Sequence, residues 1–293
     1  MGKIYKTLIF DGQILLTVMD TTDIVNDAIR IHGLFPACAA ALGRALTATA
    51  FMATGLKDEN AKLSVTINGG GVGGKIVTAA DGKRNVRGCI YNPQADVPLK
   101  SNGKLDVGAV VGKNGYITVV KDLGLKEPYV GRCRLVSGEI AEDFTAYYAY
   151  SEQQPTAMAI GVLIGTDGSC SGAGAVIVQP LPDCTDENIS KAECLINCFD
   201  DISLKISEDG GKGICEKYFS DSVFTESDTK YQCNCSRDYI DKVLISLGEN
   251  ELRDTIQKEG KIEVACEFCN RKYVYDSKDI DRLFGSANEG DQK

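Results

Sequence analysis

The sequence predicts an α+β fold: a mixed N-terminal domain with hairpin-rich sheets and a buried helix, a helical linker, and a small C-terminal domain built around paired cysteines. Three observations lead there. Strand patterns follow one another through Gly, Asn and Pro turns rather than through the strand-helix-strand crossovers of a parallel sheet. One helical stretch, Ala37 to Leu56, is apolar nearly all round (Ala39, Leu42, Leu46, Ala50, Met52), as suits a helix packed in the middle of a domain. Four of the twelve cysteines form two close pairs near the end of the chain, in a region without histidine.

Residues 3 to 20 read as a hairpin turning at Asp11-Gly12, with Ile4, Leu8 and Phe10 answered by Ile14, Leu16 and Val18. Asp23 to Ile31 is a helix, followed by the apolar one. From Leu63 to Leu135 short strands alternate with turns. Within them Gly69 to Gly74 has the spacing of a dinucleotide loop, but it runs on into the strand-like Lys75 to Ala80, so a hairpin turn is expected instead of a phosphate cradle. A helix from Glu139 to Tyr150 carries Glu139, Glu142 and Asp143 at its positive end, with Tyr147, Tyr148 and Tyr150 as core and rim. Strands resume at Ala157 to Ile164 and Ala173 to Val178.

Pro180-Leu181-Pro182-Asp183 breaks the pattern, so the core domain is read as 1–181. The linker, 182–231, is acidic and shows no strand periodicity. In it Ile189, Ala192, Ile196 and Phe199 recur at helical spacing beside Leu195, Ile202 and Ile206, predicting one amphipathic helix from Asp186 to Ile206 that ends at Gly210-Gly211. A stripe of that size needs a cover, and the first domain is the natural one; uncovered, it leaves Ile189, Ala192, Leu195, Ile196, Phe199 and Ile202 as a candidate binding surface. The third region, 232–293, closes with a polar tail after Phe284.

Composition excludes much. A net charge of −9 works against a broad grip on phosphates, so no nucleic-acid partner is expected. No apolar run is long enough to span a membrane, and the N-terminus lacks a cleavage site, which points to a cytoplasmic protein whose cysteines start as thiols. The single histidine, His32, precedes Gly33 at a helix end and reads as a cap or packing residue. Its solitude removes nearly every mechanism that pairs a nucleophile with imidazole, and no catalytic residue is assigned.

Cys233-Asn234-Cys235 and Cys266-Glu267-Phe268-Cys269 are separated by thirty residues. Four thiolates can close a tetrahedron around Zn2+, one ion per chain, making this a small zinc-bound C-terminal domain. Ser236 is an N-cap for a helix with Ile240, Val243, Leu244 and Leu247 on one face and Gly248 after it; Asn250 starts a second helix that Gly260 stops. Ile262 and Val264 lead into CEFC, and Tyr273 and Tyr275 lead away, so CEFC is the tip of a hairpin. With only about a dozen core side chains the module needs its metal to fold. A permanent zinc ribbon is the plainer reading. Sulfur-only coordination also permits collapse of the ligands into disulfides with loss of the metal, so a redox sensor is physically available. Cys194 and Cys198 of the linker lie one helical turn apart and read as packing residues.

These residues also resemble a family, the redox-regulated 33 kDa heat-shock chaperones of bacteria. CNCS at 233–236, CEFC at 266–269, the trailing RKYVY and Asp279-Ile280 match its C-terminal switch; NVRG at 85–88, VVKDLG at 119–124, SGEIAEDF at 137–144, SEQQP at 151–155 and VIVQPLP at 176–182 match its first domain. The resemblance implies an ATP-independent holdase, inactive when reduced and zinc-bound. Oxidation of Cys233, Cys235, Cys266 and Cys269 to disulfides would release zinc, loosen switch and linker, favour homodimers and expose a surface for unfolded clients. The family's switch needs four cysteines, and this chain has eight more. Two other functions compete: a thiol-disulfide oxidoreductase, which needs CEFC at a helix start, and a static zinc-ribbon adaptor.

Overall fold

A computed structural model describes residues 1–285. It has the expected α+β character, and its contacts divide it into two compact units, Met1–Gln232 and Cys233–Lys293. The polar tail expected after Phe284 falls, from residue 286 on, outside the described residues.

In the first unit the opening hairpin forms as β1 (Gly2–Ile9) and β2 (Ile14–Asp20). Its register pairs Ile4 with Met19 and Ile9 with Ile14, and it leaves Leu8 half exposed. α1 (Thr22–His32) ends on a left-handed Gly33, and α2 (Pro36–Ala53) is buried on every side. Then come β3 (Lys62–Asn68), β4 (Ile76–Asp81), β5 (Asn85–Ile90), the short α3 (Val107–Val111), β6 (Tyr116–Asp122) and β7 (Tyr129–Arg134). The glycine-rich segment is indeed the β3–β4 turn. It needs its glycines because a Cβ on Gly69 would lie 2.1 Å from the Gly112 carbonyl oxygen, and one on Gly71 2.4 Å from that of Val110.

α4 (Ala141–Tyr147) is shorter than expected and runs into a wider helical turn over Tyr148–Glu152. The buried Asp143 carboxylate accepts from the backbone N–H groups of Val136, Ser137, Gly138 and Ile140, which explains this acid without acid-base chemistry. Glu139 instead pairs with Arg44 (2.9 Å) and Lys100. Tyr147 and Tyr148 are buried and Tyr150 is exposed. β8 (Ala157–Ile164) and β9 (Cys170–Pro180) complete the expected strands.

The linker departs most from expectation. Its helix is two: α5 (Asp186–Asn197), capped by the Thr185 side chain, and α6 (Ile202–Tyr218). Gly210, at φ 67° and ψ 170°, is non-helical and divides α6 into two helical segments, so the first of them does end where Gly210-Gly211 was expected to end it; the Asp20 carboxylate caps the second by accepting from the Gly211 N–H at 3.1 Å. A strand then follows where none was read, β10 (Thr225–Tyr231). Its sequence, TESDTKY, buries only Thr229, so it carries no apolar alternation; backbone pairing makes it.

β10 lies antiparallel to β1 and, for two residues, parallel to β5. It thereby joins two half-sheets into one of ten strands, in the order β7-β6-β3-β4-β5-β10-β1-β2-β9-β8. His32 supports this junction, its Nε2 lying 3.2 Å from the Tyr231 hydroxyl. Over β1, β2, β8 and β9 the sheet is filled on both faces. On β9, Ala175 and Ile177 pack into the α1–α4 core, while Val176 and Val178 pack under α5 and α6 with Tyr5, Ile14, Leu16 and Val18. α6 comes unusually close: a Cβ on Gly172 would lie 2.2 Å from the Ser203 carbonyl oxygen.

The second unit holds α7 (Arg237–Leu247), α8 (Glu249–Glu259), a hairpin of β11 (Ile262–Ala265) and β12 (Lys272–Tyr275), and α9 (Ser277–Gly285). Seven side chains form its buried core: Ile240, Leu244, Leu252, Ile262, Tyr273, Tyr275 and Ile280. α9 was not anticipated. Arg237 fastens it by donating to Asp279 (2.8 Å), and Arg237 also lies over the Tyr275 ring.

Candidate metal centre

Two local structures deliver the four sulfurs. Cys233 and Cys235 lie in the extended segment that leads to α7, where the Ser236 hydroxyl accepts from the Tyr239 N–H and fixes the helix start. Cys266 and Cys269 lie in the β11–β12 turn. That turn is closed by bonds from Cys266 N–H to the Arg271 carbonyl (2.9 Å) and from Asn270 N–H to the Cys266 carbonyl (2.8 Å), with Asn270 left-handed. CEFC is therefore a hairpin tip and not a helix start, which removes the geometry an oxidoreductase reading requires.

The sulfurs all lie within 4.8 Å of one another. Cys233 Sγ is 3.6 Å from Cys266 Sγ, and Cys235 Sγ is 3.3 Å from Cys269 Sγ. A tetrahedron with Zn–S bonds of about 2.3 Å has edges of about 3.8 Å, so donor type, number and spacing all fit zinc. All four cysteines are half-buried.

The surroundings treat the sulfurs unequally. Burial pushes Cys233 and Cys269 up. Burial opposes the Cys235 thiolate too, yet the Tyr273 hydroxyl, donating at 3.2 Å, and the neighbouring thiols pull Cys235 down to about 7. Tyr273 is the residue the sequence reading missed as part of the site. It had been read as a strand residue only, and its pairing opposite Val264 is what aims it at Cys235.

The other expected site, the linker's apolar stripe, is assembled and covered. Ala192, Phe199 and Ile202 are buried, Leu195 and Ile196 pack against the same cluster half-buried, and Ile189 is half-buried. Cys194 and Cys198 were expected to pack and do not: both are exposed. The side of α5 that carries Ala192, Leu195 and Ile196 faces the sheet, and a helical period puts residues 194 and 198 on the opposite side.

A family model described as "Hsp33 protein" matches residues 2–276. The chain belongs to the Hsp33 family. Among curated Hsp33-type relatives, the 33 kDa chaperonin of Acetivibrio thermocellus is 43% identical over 277 residues, covering 93% of each chain. That of Bacillus subtilis is 38% identical over 290 residues, covering 97% of this chain and 98% of the other. The crystal structure of the 33 kDa chaperonin (heat shock protein 33 homolog) of Thermotoga maritima superposes with a TM-score of 0.88 at 34% identity, covering 98% of this chain and 99% of that one. The protein is thus an Hsp33-type chaperone. Among the described residues no helix is long and apolar enough to cross a membrane.

Proposed function

We propose that this chaperone is an ATP-independent holdase switched by oxidation. Cys233, Cys235, Cys266 and Cys269 would hold one Zn2+ in the reduced state. Bound there, the ion would supply a cross-link worth on the order of 10 to 16 kcal/mol to a unit with few buried side chains. Oxidation by peroxide to two disulfides would remove the thiolate donors, and the unit would lose its main support. Linker residues α5, α6 and β10, joined in sequence to that unit, would then reach looser states in which Leu195, Ile196, Phe199 and Ile202 meet unfolded clients. Homodimers form in that oxidised state, and the setting is cytoplasmic, where the resting thiols stay reduced.

The observation that carries this reading is the set of four sulfurs within 4.8 Å in a unit with seven buried core side chains. A static zinc ribbon would share the geometry. The two part under mild peroxide at raised temperature, with zinc content, free thiols and suppression of client aggregation followed together. The switch requires all three to change in step; a ribbon keeps its metal and never suppresses aggregation.

A further inference from the structure

The cysteines outside the metal centre fall into two groups. Cys38, Cys89, Cys170 and Cys215 are buried, and Cys133 and Cys184 are half-buried. The Cys38 thiol is held between the carbonyls of Asn92 and Ala95, and burial pushes Cys170 and Cys215 up to about 12. The buried four are poor targets for an oxidant in solution. Cys194 and Cys198 are the exposed cysteines among the described residues.

The pair is also arranged as a pair. The two residues are one helical turn apart on the outer side of α5, and both border one open groove of about 620 Å³ alongside Phe10, Lys191 and Leu195. The Cys198 thiol is turned back along the helix, 3.5 Å from the Cys194 carbonyl oxygen. Cys198 lies just past the last helical residue, Asn197, where the chain leaves α5 for the turn to α6, so its backbone is freer to shift than one inside the helix.

We propose that Cys194 and Cys198 are a second redox site, which closes into a Cys194–Cys198 disulfide when hydrogen peroxide oxidises the protein. One thiolate attacks a peroxide oxygen; an S–O bond forms, the O–O bond breaks, and hydroxide leaves. The second sulfur, its proton given to that hydroxide, attacks the sulfenic sulfur; the S–S bond forms, the S–O bond breaks, and the oxygen departs as water once it takes up the first thiol's proton. In sum two thiols lose two electrons and two protons, and one peroxide becomes two waters.

Closure does not leave the helix as it was. Residues four apart in a helix hold their Cβ atoms about 5–6 Å apart, whereas a disulfide needs about 3.5–4.5 Å. The last turn of α5 must deform, and that turn carries Leu195 and Ile196 and leads to the buried Phe199. The site thus loosens the linker from within. Its consequence for client capture rests on the holdase reading; the disulfide itself does not.

The test is to treat the full chain with graded hydrogen peroxide, alkylate remaining thiols, and analyse the peptide containing both residues by mass spectrometry, with zinc content and hydrogen exchange measured on the same samples. The expected result is a peptide that has lost both alkylation sites and is lighter by two hydrogens, with faster exchange over residues 192–199. The linked peptide should be absent in Cys194→Ser and in Cys198→Ser, whose exposed positions tolerate serine, and at peroxide levels that leave zinc bound so should the faster exchange. The proposal is overturned if both thiols remain alkylatable while those of the metal centre are consumed, or if each sulfur is oxidised separately. A linked peptide without faster exchange overturns the loosening. A linked peptide in a sample that keeps its zinc supports the second site and counts against the zinc switch, so the two readings fail separately.

Discussion

In the first unit apolar side chains are buried on one face of the ten-stranded sheet by α1–α4 and, over β1, β2, β8 and β9, on the other by α5 and α6. In residues 233–285 seven apolar side chains are buried, and five partly buried ones pack against them. The first unit has surface enough to hold itself together by the hydrophobic effect. The second lies below the size at which a core suffices, and on the proposed reading a metal held by its four converging sulfurs takes the place of the missing core. Oxidants act on sulfur and leave hydrocarbon packing alone, so the difference between the two regions is a difference in what can unfold each of them.

The largest effect that would sharpen this contrast is expected from Cys266→Ser. A serine oxygen is a poor partner for a site of soft donors, and stability on the order of 10 kcal/mol goes with the metal. Metal analysis should find no stoichiometric zinc, and amide exchange should be fast over 233–285 while β1, β2 and β9 stay protected. Full zinc in this variant would break the comparison.

Next comes the linker face. Phe199 is wholly buried beside Phe219 and Tyr218, so Phe199→Ala should cost about 3–5 kcal/mol. The double variant Ile196→Asp with Phe199→Asp places charges where α5 and α6 meet the sheet; it should undock the linker and weaken client capture after oxidation, with zinc content unchanged. Aggregation suppression equal to that of the parent would show that this face does not meet clients.

Gly172→Ala should act in the same direction with a smaller effect, roughly 1–3 kcal/mol, because the new methyl group meets the Ser203 backbone and α6 must rise from the sheet. Faster exchange confined to α6 is the expected signature.

The smallest effect separates the regions by pH. Burial would raise the Glu139 pKa, but the ion pairs with Lys100 and Arg44 outweigh it and hold the carboxyl below its usual range. Its stabilisation is therefore complete above the unfolded carboxyl pKa and is lost as pH falls through the lower folded one. Glu139→Gln should cost about 1 kcal/mol at neutral pH and flatten the acid limb of the first unit's melting curve, leaving zinc binding untouched. An unchanged acid limb would remove Glu139 from the account.

Much of this was legible because local chemistry spoke plainly. Ser236, Gly248 and Gly260 mark the ends of α7 and α8 where their capping geometry is found, and the apolar residues flanking CEFC announced its hairpin. The cysteine cluster followed from spacing and donor type. β10 was not legible, since its alternation is polar on polar and its reason for being a strand lies in the unpaired edges of β1 and β5, hundreds of residues away for one of them in sequence. The break between α5 and α6 was hidden because Phe199 and Ile202 keep the apolar stripe continuous across a turn. Cys194 and Cys198 were misread from residue type alone, when their angular position on the helix opposes the stripe. Tyr273 entered the site through register, which the pattern of a four-residue strand does not fix.

On the proposed reading, oxidation unlocks the second unit and with it α5 and α6, and spares the sheet of the first. Hydrogen exchange over the whole chain, taken through a peroxide titration at raised temperature with zinc and thiols counted at each point, tests it most directly. The account predicts that protection over 233–285 falls in step with zinc, that α5 and α6 follow, and that β1, β2 and β9 keep theirs. Loss of protection spread evenly over both units, or thiols oxidised at the metal centre with zinc and protection intact, would contradict it.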